Sequence, residues 1–181
     1  MTISFTIAVS DALLTIYGAN LNTTGILAVF SGPPPTNADT ALSGNAILAA
    51  ATFSGTAFGT AAAHSIAANA LTGQNAYISG TATFFRTMYQ GGSIAATAMV
   101  ANGVYVINAA AGTTWTTYGA PNNTAGTVFV ATGPGTGTGT CFPATIVEQG
   151  TVGTSGADLN LNTTTIASGG PISITSFTRS L

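Results

Sequence analysis

Residues 80–90 read GTATFFRTMYQ, and this stretch decides the fold class. Thr, Phe and Tyr dominate it, side chains that fit a pleated surface better than a helix, and Gly91-Gly92 closes it. Strand alternation sends Phe84, Arg86 and Met88 to one face and Phe85, Thr87 and Tyr89 to the other. Both faces carry apolar bulk, so the segment reads as a central strand in a layered β structure. An arginine inside such a strand must reach solvent or find partners, because an unpaired buried charge is costly. Arg86 is therefore expected to act as a structural pin, bonding turn carbonyls or a carboxylate, with Asp158 the first candidate partner and Asp39 the second.

The neighbouring segments read the same way. Residues 25–31 (GILAVFS) and 46–53 (AILAAATF) are short apolar runs, the first stopped by Gly32-Pro33-Pro34-Pro35. Residues 64–72 (HSIAANALT) are Ala-rich but end at Gly73 among β-type neighbours, so an extended segment is expected there. In residues 158–162 (DLNLN) Leu159 and Leu161 alternate inward between outward Asn160 and Asn162, and residues 171–178 (PISITSFT) return as a closing strand after Gly169-Gly170. One short helix is expected near the start, with Ser10 as N-cap, Asp11 in the first turn, Ala12, Leu13, Leu14 and Ile16 as apolar contacts and Gly18 as the stop. Many short strands between Gly, Pro and Asn turns imply a single all-β domain over residues 1–181, a β-sandwich or jelly roll.

Residues 93–143 differ in texture and read as an inserted β-arm projecting from the sandwich. Strands are expected at 103–108 (GVYVIN) and 127–132 (TVFVAT), flanking the Gly-Thr alternation that runs from Gly133 to Thr140. The segment holds Trp115, Tyr105 and Tyr118, which serve either as interface anchors or as the arm's own small core.

Of 181 residues only six are charged, two basic and four acidic, with no lysine. Ordinary soluble domains carry about a quarter charged residues, which keep molecules apart. A surface so poor in charge implies that copies of the chain or other subunits cover it. Two arginines cannot supply the many phosphate contacts of a nucleic-acid binder. No run approaches the length of a membrane helix, and the N-terminal MTISFTIAVSDALL lacks the basic start of a secretory signal. A lone cysteine, Cys141, excludes an intrachain disulfide. A lone histidine, His64, excludes His-based metal clusters and leaves a catalytic relay without support, since no Gly-x-Ser-x-Gly elbow accompanies it. Neither catalytic residues, nor a cofactor, nor a metal site is expected.

Several motifs resemble a family of small structural proteins of tailed phages and prophages. They are Phe30-Ser31-Gly32-Pro33-Pro34-Pro35 with Ala38-Asp39-Thr40-Ala41, then Ala57-Phe58-Gly59, then Thr83-Phe84-Phe85-Arg86. The longest is Gly150-Thr151-Val152-Gly153-Thr154-Ser155-Gly156-Ala157-Asp158-Leu159-Asn160-Leu161, followed by Gly169-Gly170 and the SITSFT ending at 173–178. The resemblance covers most of the chain outside residues 93–143, where this sequence departs by insertion. It implies a head-associated virion protein assembled in the host bacterial cytoplasm. The expected role is a non-enzymatic capsid decoration (cement) protein, bound to itself as a homo-oligomer and to the major capsid protein. The alternatives are a tail, collar or fibre component, or a glycan-binding β-sandwich module.

Overall fold

The computed structural model describes residues 4–73 and 75–181, so the reading of a missing secretory start at Met1–Ile3 lies outside them. One α-helix, α1 (Ile7–Asn20), precedes the strands β1 (Gly25–Phe30), β2 (Ile47–Thr52), β3 (Ser65–Ala67), β4 (Thr72–Gly73), β5 (Gly80–Thr81), β6 (Phe84–Gln90) and β7 (Ile94–Ala95). There follow β8 (Val104–Ala109), β9 (Val128–Val130), β10 (Thr140–Gly153), β11 (Leu159–Leu161), β12 (Thr165–Ile166) and β13 (Ile174–Ser180). Short 3-10 turns lie at Ala96–Ala98 and Trp115–Tyr118. The fold is all-β, a sandwich with a short N-terminal helix.

The strand expected to be central is central. β6 lies between β1 and β10, antiparallel to both, in a sheet ordered β3-β13-β11-β10-β6-β1-β2-β4. Its two faces serve different cores. Phe85 joins Leu27, Val29, Leu48, Leu159, Leu161 and Phe177 on one side. Phe84 and Met88 join Ile26, Phe30, Val104, Val106 and Val128 on the other, with the Phe30 and Phe84 rings stacked 4.9 Å apart. A strand buried on both faces reads as continuous apolar bulk, which is what GILAVF in β1 shows as well.

Strand β10, fourteen residues long, was not legible in the sequence and organises the rest. Its first part pairs with β7 and β8 of the inserted segment, and its remainder with β6 and, in parallel, β11. The insertion does not project. Val104, Val106 and Val128 lie on the second core, while Tyr105, Ile107 and Phe129, alternating with them, face a third core around Trp115. The β8–β9 hairpin is thus another layer of the sandwich, held down because its inner face closes over Phe84 and Met88.

The helix also differs from expectation. Thr6 is the N-cap, accepting from the Val9 amide, and the helix runs through Gly18 to a C-cap at Leu21. Gly18 is buried instead of terminal, since a Cβ there would sit 3.3 Å from the Phe58 Cβ: the glycine lets the helix approach the core. Leu14 packs inward, whereas Leu13 and Ile16 point outward. Within residues 64–72 the extended reading holds for β3 and the start of β4, while His64 lies in the turn before β3.

Two buried hydroxyls in this frame, those of Tyr17 and Thr87, lack a well-formed hydrogen bond. Thr87 is fully buried on β6, opposite Glu148 of β10, and its Oγ1 is unsatisfied. An unpaired buried hydroxyl costs about 1–3 kcal/mol in protein hosts. Thr87→Val keeps the shape and removes that cost, so the denaturation midpoint should rise, by about 1 kcal/mol in stability. A fall would show that Thr87 is satisfied in solution by the neighbouring Tyr17 hydroxyl.

Candidate interaction surface

Arg86 is a pin, but not through a carboxylate. It is 3% exposed, and its Nε donates to Gln149 Oε1 at 3.0 Å while Nη2 donates to the Thr40 carbonyl at 2.7 Å and the Asn37 carbonyl at 3.4 Å. Gln149 Nε2 in turn donates to the Pro35 carbonyl at 2.8 Å. Arg86 and Gln149, cross-strand neighbours on β6 and β10, together fasten the proline-bearing loop between β1 and β2. The carbonyls flanking Asp39 take the bond, and the Asp39 carboxylate does not.

The expected partnership of Arg86 with Asp158 is corrected by strand alternation. A Cβ on Gly150 would meet both the Phe85 ring, at 2.6 Å, and the Asp158 Cβ, at 3.0 Å, so Asp158 stands on the Phe85 side of the sheet. Arg86, the next residue along β6, points to the opposite side. The Asp158 carboxylate instead accepts from the Thr151 amide and hydroxyl at 2.9 and 2.8 Å, and these bonds hold it below the usual carboxylate range. It closes the turn between β10 and β11.

The one ion pair among the described residues joins Arg179 of β13 to Glu148 of β10, at 2.6–2.7 Å. The Arg179 guanidinium also lies 4.2 Å from the centroid of Phe177 and 5.1 Å from that of Phe85. Glu148 reaches this face through a bulge. The register slips between Ile146 and Glu148, so Val147 and Glu148 both serve the first core's side. Only the residue types gave a signal for this pair, because a bulge has no signature in an isolated strand.

The aromatic trio of the insertion is core, not interface. Trp115 is completely buried, edge-on to Phe129 at 5.8 Å, and Tyr105 is 4% exposed with its hydroxyl accepting from the Val100 amide. Tyr118 is half-buried and its hydroxyl bonds Thr136 Oγ1 at 2.7 Å, tying the Gly-Thr segment to the same core. None of the three is an exposed anchor.

His64 does meet a serine and an aspartate, both from α1. Its Nδ1 lies 2.8 Å from Ser10 Oγ, and Asp11 Oδ1 accepts from the His64 backbone amide at 3.0 Å. Ser10 is sealed at 0% exposure, and Asp11 holds the main chain instead of orienting the imidazole. The trio clamps a turn in which Ala63 and His64 both have positive φ, a strained backbone for residues with a Cβ. Ser10 thus joins helix to turn and does not cap the helix.

Ile78, Val100 and Leu181 are single exposed apolar side chains, whereas those on and just before α1 form a group. Phe5, Ile7, Val9, Leu13 and Ile16 are 42–61% exposed, and Ala8, Ala12 and Ala19 share the solvent side. No exposed position of this helix carries a charge; its acid, Asp11, is half-buried on the clamp. A helix that is apolar all round is normally covered on all sides. Only Ser10, Leu14 and Gly18 are buried here. A groove of about 480 Å³ runs beside β13 along Asn69, Leu71, Pro171, Ile172 and Thr175, and among the described residues that line it the one aromatic is Phe177. Among the described residues no His, Cys, Asp and Glu cluster could hold a metal ion, and no helix is long and apolar enough to cross a membrane.

These features define a charge-poor, all-β sandwich protein presenting an uncovered apolar helix. Compared with known proteins, the chain matches no family, no curated protein and no solved structure.

Proposed function

We propose that this protein is a non-enzymatic assembly component, a structural protein of a tailed-phage virion that decorates the capsid shell. The observation that carries the reading is the exposed apolar side of α1 on a molecule with only six charged residues. Such a surface keeps few molecules apart and is stabilised when neighbours cover it. The motifs of residues 30–41, 83–86 and 150–161 support the virion assignment, and the head is the position their resemblance favours. Ala, Thr and Ser at the surface also suit many-copy packing, because they lose little side-chain entropy when immobilised. The partners are the major capsid protein and further copies of this chain.

Contacts of this composition should be nearly indifferent to salt. Screening shortens from about 10 Å at 0.1 M to about 3 Å at 1 M salt, which weakens exposed ion pairs and spares apolar contacts. Purified particles are expected to retain the protein across that range, at a copy number comparable with that of the shell subunit, when quantified by gel densitometry. Release on raising salt would contradict the contact chemistry. A copy number of one ring per particle would move the protein to the collar or tail.

A further inference from the structure

The outward residues of α1 follow a coiled-coil spacing. Val9, Leu13, Ile16 and Asn20 are separated by four, three and four positions, so they form one stripe with Val9 and Ile16 at d-type and Leu13 and Asn20 at a-type positions. Phe5, just ahead of the Thr6 N-cap, flanks the stripe at a g-type position, and all five are exposed. We infer that this stripe is a self-association seam: the α1 helices of neighbouring copies pack side by side, parallel and in register.

Three observations point to a second copy as the occupant. First, the register is self-complementary. In a parallel pair Asn20 meets Asn20, so each amide finds a partner, whereas an antiparallel pair sets Asn20 against Val9 and buries an amide unpaired. Second, the exposed positions of α1 carry no charge, and the helix has none of the lysines and arginines that seat an interfacial helix on anionic lipid. A neutral partner matches it, and this chain's own helix is one. Third, the area suffices. Phe5, Val9, Leu13 and Ile16 leave 47%, 45%, 42% and 61% of their surface open. With Ala12, Ala19 and Asn20, two copies would bury on the order of 1,000 Å², the floor for a specific interface. The seam rests on the assembly reading above and names one of its contacts.

The test uses the full chain. Sedimentation velocity over a concentration series, on wild type and Ile16→Asp, is read beside circular dichroism, since an exposed site should tolerate the charge without unfolding. The expected result is an oligomeric wild type and a folded variant associating at least ~100-fold more weakly, because an aspartate would be buried unpaired in the seam. Asn20→Cys supplies a second measurement, Cys141 being buried. Mild oxidation should link two copies of that variant through position 20, and should not link a Thr116→Cys control on the insertion's exposed side. A wild-type oligomer that Ile16→Asp leaves intact overturns the seam while leaving the assembly reading standing. A monomeric wild type that still binds shells stoichiometrically overturns the seam alone. A monomer that binds no shell overturns both.

Discussion

Trp115→Ala should destabilise the whole molecule by about 3–5 kcal/mol, the range for truncating a large buried aromatic. Trp115 has no exposed surface and sits among Met99, Ile107, Phe129 and Ala131, so the space it leaves cannot be hydrated without opening the third core. The loss should not stay local. The same hairpin that faces Trp115 through Tyr105, Ile107 and Phe129 seals Phe84 and Met88 through Val104, Val106 and Val128. Freeing the insertion would expose the second core, so insertion and sandwich should melt together. A thermal scan by far-UV circular dichroism should show one transition, lowered by roughly 10 °C or more for a chain of this size. Two separated transitions would show that the insertion folds as an independent arm. For the same reason, excising residues 93–143 should abolish folding, because the cut removes the cover of one core and the first residues of β10.

The fate of this insertion shows where sequence reading reached and where it stopped. Its strands at Val104–Ala109 and Val128–Val130 were legible from dense β-branched and aromatic residues. Their docking was not, because alternation shows that a strand has two apolar faces and does not say what each face meets. The Gly-Thr run has a linker's composition, yet it is ordered by close approach. A Cβ on Gly139 would stand 2.7 Å from Thr113 Oγ1, the same hydroxyl that receives the Gly139 amide bond at 2.9 Å. Thr113 also donates to the Thr136 carbonyl. Glycine is needed there for space, a requirement set by residues more than twenty positions away.

The candidate surface was legible in part. Scarcity of charge pointed to coverage by neighbours, but large aromatics drew attention to the insertion, where they turned out to be core. Several of the exposed apolar groups lie instead on a helix whose Leu13 and Ile16 read as apolar contacts in sequence. Which side faces the body is set by Gly18 against Phe58 and Ser10 against His64, both long-range contacts of small side chains. Hydrophobicity alone could not have ranked Leu13 below Leu14.

Arg86→Met should cost about 2–3 kcal/mol, and the sign follows from weighing two opposed effects. Burying a guanidinium without a carboxylate is unfavourable, and burial does lower its basicity, so methionine relieves some of that cost. Against this stand the lost charge-assisted bonds, worth about 1.5–3 kcal/mol each, which leave Gln149 Oε1 and the Thr40 carbonyl unpaired. The Thr40 carbonyl belongs to an exposed loop residue and can recover water, whereas Gln149 is half-buried between strand and loop and recovers less. The bonds therefore win, though by less than their sum. The loss should concentrate in the loop between β1 and β2, whose Leu42 is 2% exposed over the second core, and hydrogen exchange there should quicken before the β6 amides respond. A double-mutant cycle with Gln149→Leu isolates the contact itself. Each single change strands the other's polar group, so the pair should cost less than the sum of its parts by at least ~1 kcal/mol. Additive losses in guanidinium unfolding would mean that Arg86 and Gln149 hold the loop independently, and that the arginine's burial rests on its loop carbonyls alone.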